Sequence, residues 1–179
     1  MIQPDTSLND VAFIVCTRLA QVGVTAVLSG GSAASIWSGG KFQSYDCDFI
    51  IVFYKAGAPG TAALKDLGYS EKNGAYVHPA NPFALEFPAG PLSIGDDLIS
   101  HWEKLEMGDQ FLYVLTATDS CRDRLAAYYY WNDQSSLQAA LDVARTSAIE
   151  LSVVEEWSKR EGQSEKFLRF KEILLTNRP

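Results

Sequence analysis

Two short stretches of this chain carry residue types whose spacing suits chemistry. Asp46 and Asp48 open the run Tyr45-Asp46-Cys47-Asp48-Phe49-Ile50-Ile51-Val52-Phe53, which becomes continuously apolar after the second acid. Strand periodicity puts both carboxylates on one face, roughly 6–7 Å apart. Like charges at that distance repel unless one is protonated or a cation lies between them. A hard dication such as Mg²⁺ suits the pair and is held by one or two carboxylates together with substrate phosphates. The alternative is a solvated strand end with two exposed acids. The second stretch, Ser29-Gly30-Gly31-Ser32, lies between an apolar run and a helix-forming segment. Glycines let backbone N–H groups approach an anion, and a helix start adds favourable dipole; a plain tight turn uses the same residues. The stretch has neither the spacing nor the Lys of a P-loop, and it is not a GxGxxG dinucleotide turn.

The elements that must position these residues follow from periodicity. Leu8, Val11, Ala12, Val15 and Leu19 recur at helical spacing, so 7–22 is predicted as an amphipathic helix. Ser7 with Asp10 resembles a capping box, and Gly23 stops the helix. Thr25 to Leu28 reads as a buried strand, Ala33 to Trp37 as a second helix ended by Gly39-Gly40, and 45–53 as the next strand. A helix is predicted at 61–67 before Gly68, with strands at 75–77, 83–87 and 111–115. From Thr116 onward only helices are predicted, at about 119–131, 135–148, 152–161 and 164–176. Ser152 with Glu155 gives the third a capping-box signal, and Gly162 ends it. Strands followed by helices predict an α+β fold, a mixed sheet with flanking helices over 1–115 and a helical part over 116–179.

The paired features together resemble the nucleotidyltransferases of the DNA-polymerase-beta superfamily, whose signature is a Gly-Gly/Ser turn followed by Asp-x-Asp at a strand start. Here these are Gly30-Gly31-Ser32-Ala33 and Ser44-Tyr45-Asp46-Cys47-Asp48-Phe49. The segment Leu115 to Ala127, with Trp131-Asn132-Asp133 and Leu137-Gln138-Ala139-Ala140, is similar to small bacterial nucleotidyltransferases of the group that includes AbiEii-type toxins. The resemblance runs from about 24 to 145. It implies a nucleotidyltransferase-like fold and transfer of an NMP, AMP foremost, from ATP or another NTP to a hydroxyl on RNA such as a tRNA end, on a protein or on a small molecule. Two Mg²⁺ ions are implied on Asp46, Asp48 and a third acid on a neighbouring strand, for which Glu86 in Leu85-Glu86-Phe87 is the candidate. Gly30, Gly31 and Ser32 would hold the β and γ phosphates. Lys41 or Arg124 would supply positive charge near the triphosphate, although Arg124 also has Asp123 and Asp133 as ion-pair partners. The toxin branch further implies an antitoxin-like partner protein. The chain departs from its relatives at Phe42-Gln43-Ser44, where many carry Arg and Thr. At Trp131-Asn132-Asp133 it lacks the Lys that such toxins use. The rival expectation is a degenerate fold that binds nucleotide or a partner protein without transfer.

Composition bounds these readings. The chain has 179 residues, 47% hydrophobic and 21% charged, which excludes disorder. No apolar run reaches the ~20 residues of a membrane span. The polar stretch Met1 to Asp10 has no leader pattern, and a cytoplasmic, reducing setting is expected. Cys16, Cys47 and Cys121 are too few and too widely spaced for a disulfide framework or zinc site. The net charge of −7 argues against a basic nucleic-acid-binding module. Residues 1–115 hold 6 basic and 12 acidic residues, so most of the acidity lies in the part with the carboxylate pair. The last 21 residues are mildly basic (Lys159, Arg160, Lys166, Arg169, Lys171 and Arg178 against Glu161, Glu165 and Glu172), consistent with a solvated amphipathic helix. The cluster Tyr128-Tyr129-Tyr130-Trp131 suits a core or a protein interface equally.

Overall fold

The apolar segment before the glycine pair becomes the centre of a sheet. The computed structural model describes residues 2–176. Helix α1 (Leu8–Gln21) is capped by Ser7, whose hydroxyl accepts from the Asp10 N–H and donates to the Asp10 carboxylate. Strand β1 (Val24–Ser29) follows after Gly23, which has φ of +86°. It runs straight into α2 (Gly30–Trp37) and then to β2 (Asp46–Tyr54) and α3 (Gly60–Asp66). Three short strands come next, β3 (Ser70–Lys72), β4 (Ala75–Val77) and β5 (Ala84–Glu86). A small hairpin of β6 (Ser93–Ile94) and β7 (Asp97–Leu98) precedes β8 (Glu103–Met107) and β9 (Gln110–Val114). Helices α4 (Ala117–Trp131), α5 (Gln134–Thr146), α6 (Leu151–Arg160) and α7 (Ser164–Thr176) complete the chain.

Seven strands form one mixed sheet in the order β3-β4-β5-β2-β1-β9-β8. Strand β1 is antiparallel to β2 and parallel to β9, while β2 is parallel to β5. The fold is therefore α+β. Alternation along the central strands sorts side chains to two cores. Ala26, Leu28, Cys47 and Phe49 pack with α1 on one face; Val27 and Ile50 pack with α4–α7 on the other. Helix α2 sits at the sheet end and serves both, sending Ala33 to the first core and Ala34 to the second. The C-terminal helices are thus a layer on the sheet, which the sequence alone leaves open. All three cysteines are buried free thiols. No helix among the described residues is long and apolar enough to cross a membrane.

The hairpin is fastened to the helical layer. Asp97 accepts hydrogen bonds from Arg122 and, at 2.7 Å, from Arg160. Arg122, itself buried, also reaches Asp119 at 2.8 Å and lies over the Trp157 ring. The mild basic bias near the C-terminus is largely absorbed in this way: Lys159 and Lys171 meet Glu155, and the Lys166 ammonium donates to the Tyr128 and Tyr129 carbonyls. Arg178 lies outside the described residues. The aromatic cluster divides, with Tyr128 and Tyr129 buried and Trp131 78% exposed.

Three expectations change. The two sheet-edge strands β3 and β8 and the β6–β7 hairpin are additional elements. Helix α2 begins at Gly30 rather than Ala33, so no turn separates it from β1. Ser152 does not cap α6, because the helix already starts at Leu151 after Glu150 and so encloses Ser152; Glu155 pairs instead with Lys159 at 3.1 Å and Lys171 at 3.4 Å.

Candidate active site

The register of three adjacent strands assembles the acids. Asp48 lies opposite Ser29 on β1 and opposite Glu86 on β5, so one row across the sheet reads Ser29, Asp48, Glu86. Asp46 precedes Asp48 by two residues on the same face, with Ser44 donating its hydroxyl to Oδ1 at 2.9 Å. Strands β1 and β9 are parallel and each leads directly into a helix, so the starts of α2 and α4 lie at this same end of the sheet. Helix α4 brings Asp123 and Arg124, which close a cleft of about 370 Å³ with Ser29, Gly30, Asp48 and the loop from Pro88 to Ser93.

Charge in the cleft is unbalanced. Burial, then the neighbouring Asp46 and Glu86 charges, push the Asp48 carboxyl up to about 6; Arg124 opposes this and Asp123 adds to it. Arg124 is the counter-charge in the cleft, and it is already held by Asp123 through Nη2 at 2.8 Å and Nε at 3.1 Å. An excess of carboxylate in a half-buried setting is the condition under which a cation binds favourably. Among the described residues no three His, Cys, Asp or Glu side chains are drawn into a ready-made metal cage. The donor set fits an open Mg²⁺ site, in which Asp46, Asp48 and Glu86 would supply some oxygens and a bound phosphate the others.

The glycine stretch is built differently from a loose anion-binding turn. Gly30 has φ of +62°, and a Cβ there would stand 2.2 Å from Asp48 Oδ2. A Cβ on Gly31 would stand 2.9 Å from Ser44 Oγ. Both glycines therefore permit close approach of α2 to the acidic strand. Ser32 is fully buried, and its hydroxyl donates to the Ser29 carbonyl at 2.9 Å while accepting from the Asp48 N–H at 3.2 Å. That hydroxyl is committed within the protein and does not face the cleft, so its place is to tie α2 to β2. Ser32→Ala is expected to cost about 1–2 kcal/mol, by leaving the Asp48 N–H without its partner, and to lower affinity for any ligand held by Asp48. Parallel urea titrations of the variant and the parent protein measure this.

Lys41 lies exposed on the segment after α2 and does not line the cleft. Asp133 is used as the cap of α5, accepting from the Ser135 N–H at 2.9 Å and the Ser136 hydroxyl at 2.6 Å. Its carboxyl is held below the usual range, first by Ser136 and to a lesser degree by Arg124. Asp123, expected as an ion-pair partner of Arg124, also lines the cleft, as does the Pro88–Ser93 loop, which was not expected there. Neither carries a pattern of its own; a helical acid beside Arg124 looks like an ordinary surface pair. No family model matches the chain, and no curated protein matches it.

Proposed function

We propose that the chain is a Mg²⁺-dependent nucleotidyltransferase that moves an NMP, AMP foremost, from an NTP to a hydroxyl acceptor. The observation that carries the reading is the register that sets Asp46, Asp48 and Glu86 together at the start of α2, with Arg124 across the cleft. In this reading Asp46 and Asp48, with Glu86, hold the metal. A Mg²⁺ ion held by these carboxylates would supply neutralisation of the triphosphate charge. The start of α2 at Gly30 and Gly31 faces the phosphates with backbone N–H groups. Arg124 turns part of its charge from Asp123 to phosphate oxygens, which carry more negative charge than one carboxylate. Glu86 is the exposed member of the trio and accepts the proton that the acceptor hydroxyl releases. Departure of pyrophosphate completes the exchange.

The reading is tested by calorimetry with ATP in the presence of Mg²⁺. Heat of binding is expected for the parent protein and is expected to vanish in the Asp46→Ala/Asp48→Ala double variant. Equal binding by both would remove the assignment of this site. A second reading, nucleotide binding without transfer, is favoured by the Asp123 clamp on Arg124. Incubation with labelled NTP and a cell extract separates the two: label on a product supports transfer, and binding without label supports the second.

A further inference from the structure

Among the described residues Arg124 is the one basic side chain that lines the acidic cleft, and the way it is held departs from the usual pairing on a helix. Ion pairs along a helix form between residues three or four apart, while neighbours in sequence face different directions. Arg122 follows that rule with Asp119, at 2.8 Å. Arg124 has Ser120, Cys121, Ala127 and Tyr128 at those spacings, none of them an acid. It is held instead by the residue directly before it. Asp123 and Arg124 must therefore lean towards one another, and they do so at the cleft that both of them line.

The contact uses only part of the guanidinium. Asp123 Oδ2 accepts from Arg124 Nη2 at 2.8 Å and from Nε at 3.1 Å, so one carboxylate oxygen takes the side edge of the group. A guanidinium carries five N–H groups in a rigid plane. The other three, two on Nη1 and one on Nη2, meet no acceptor among the described residues. They include the end edge, the fork that matches two oxygens of a phosphate. The group acts on the acids of the cleft, since its charge works against the upward shift of the Asp48 carboxyl. The two side chains are only 18% and 22% exposed, which shelters the pair from the solvent that loosens surface ion pairs.

We propose that Asp123 is a positioning residue: by seating the side edge of Arg124, it holds the end edge ready for the phosphate oxygens of the nucleotide. The inference rests on the nucleotide reading above. The charge that Arg124 turns to phosphate is then the part that Asp123 leaves free. A long side chain fixed beforehand has less rotamer freedom to lose when its ligand arrives. Against this stands the negative charge of Asp123, which repels phosphate. Substitution separates the two effects. Asn is neutral but keeps an oxygen that accepts from Nε and Nη2, whereas Ala is neutral and accepts nothing. The two variants thus share a charge and differ in positioning.

The test is calorimetry with Mg²⁺·ATP on the full chain, as Asp123→Asn and Asp123→Ala, each with Arg124 present and with Arg124→Ala. With Arg124 present, Asp123→Asn is expected to bind roughly tenfold more tightly than Asp123→Ala, the scale of losing a hydrogen-bonded geometry. With Arg124 removed, the two are expected to bind equally. Ala favours a helix at least as well as Asn, so weaker binding by the Ala variant does not come from a frayed α4. A difference that persists without Arg124 would be a general effect on α4 and overturns the proposal. Equal binding by Asn and Ala with Arg124 in place also overturns it; if both then exceed the parent protein, Asp123 acts only as a competitor for the arginine. Those two outcomes leave the nucleotide reading intact. Absence of Mg²⁺·ATP binding by the parent protein defeats that reading, and the positioning role of Asp123 with it.

Discussion

Asp48→Asn is expected to remove nucleotidyl transfer and at the same time make the protein more stable. Loss of one metal-holding carboxylate takes away several kcal/mol of transition-state stabilisation, a fall of roughly 10²- to 10⁴-fold in rate. The stability gain has a separate origin. Burial and the Asp46 and Glu86 charges raise the Asp48 carboxyl from 3.8 to about 6, so the folded protein holds that proton more tightly than the unfolded chain. The sign follows from linkage: the deficit is full above about pH 6, shrinks as pH falls, and is absent below the unfolded value. After discounting for partial exposure it amounts to about 1–2 kcal/mol at pH 8, a rise of roughly 2–6 °C in Tm for the Asn variant. Asn keeps the shape of Asp, so the tight seat against Gly30 is preserved. Thermal melts of both proteins at pH 8 and at pH 4.5 check the point. The variant should be the more stable at the higher pH, and the gap should narrow at the lower. A gap that is unchanged or reversed would mean that Asp48 is not strained by its neighbours.

Gly30→Ala is expected to produce the largest loss of stability. A side chain at φ of +62° costs about 1–2 kcal/mol, and a Cβ placed 2.2 Å from Asp48 Oδ2 adds about 1–3 kcal/mol of overpacking. The fall in Tm is then roughly 5–15 °C, with Asp48 displaced and activity lost. Gly40 supplies the control. Its φ is +79°, but a Cβ there meets nothing within 4 Å, so Gly40→Ala carries the backbone cost alone. Scanning fluorimetry of the two variants separates backbone strain from close approach. Equal losses would show that the contact between Gly30 and Asp48 contributes nothing.

The sequence was most legible where one face of an element is apolar. Residues 164–176 form α7 as predicted, because Phe167, Phe170 and Leu174 face the core at helical spacing. The start of β2 was legible for the same reason: Cys47 and Phe49 turn into one core, leaving Asp46 and Asp48 on the other face. Strand β8 was not, since Glu-Lys-Leu-Glu-Met has no apolar alternation and is a strand only because β9 pairs with it from Glu103 to Met107. Within the site, the Asp48–Glu86 pairing depends on inter-strand register, which no local pattern encodes. Arg124 was legible as a cation with Asp123 and Asp133 as partners, but the choice between them is made by packing: Asp123 takes the guanidinium while Asp133 caps α5. Ser32, expected to meet phosphate, and Ser152, expected to cap α6, make a matching point about hydroxyls. A serine at the right spacing bonds where the packed chain puts its hydroxyl, and for Ser32 that is a neighbouring strand.

The outermost strands have a consequence for how copies of this protein coexist. An uncovered sheet edge offers unpaired backbone groups to any similar strand that meets it. Here both edges are short and charged. Strand β3 presents Glu71 and Lys72, and β8 presents Glu103, Lys104 and Glu106, with Lys104 and Glu106 joined at 2.7 Å. Charges placed there disfavour edge-to-edge addition, so the seven-stranded sheet terminates itself at both ends. The alternation of acid and base that concealed β8 from sequence patterning is therefore also what guards the molecule against aggregation through its sheet.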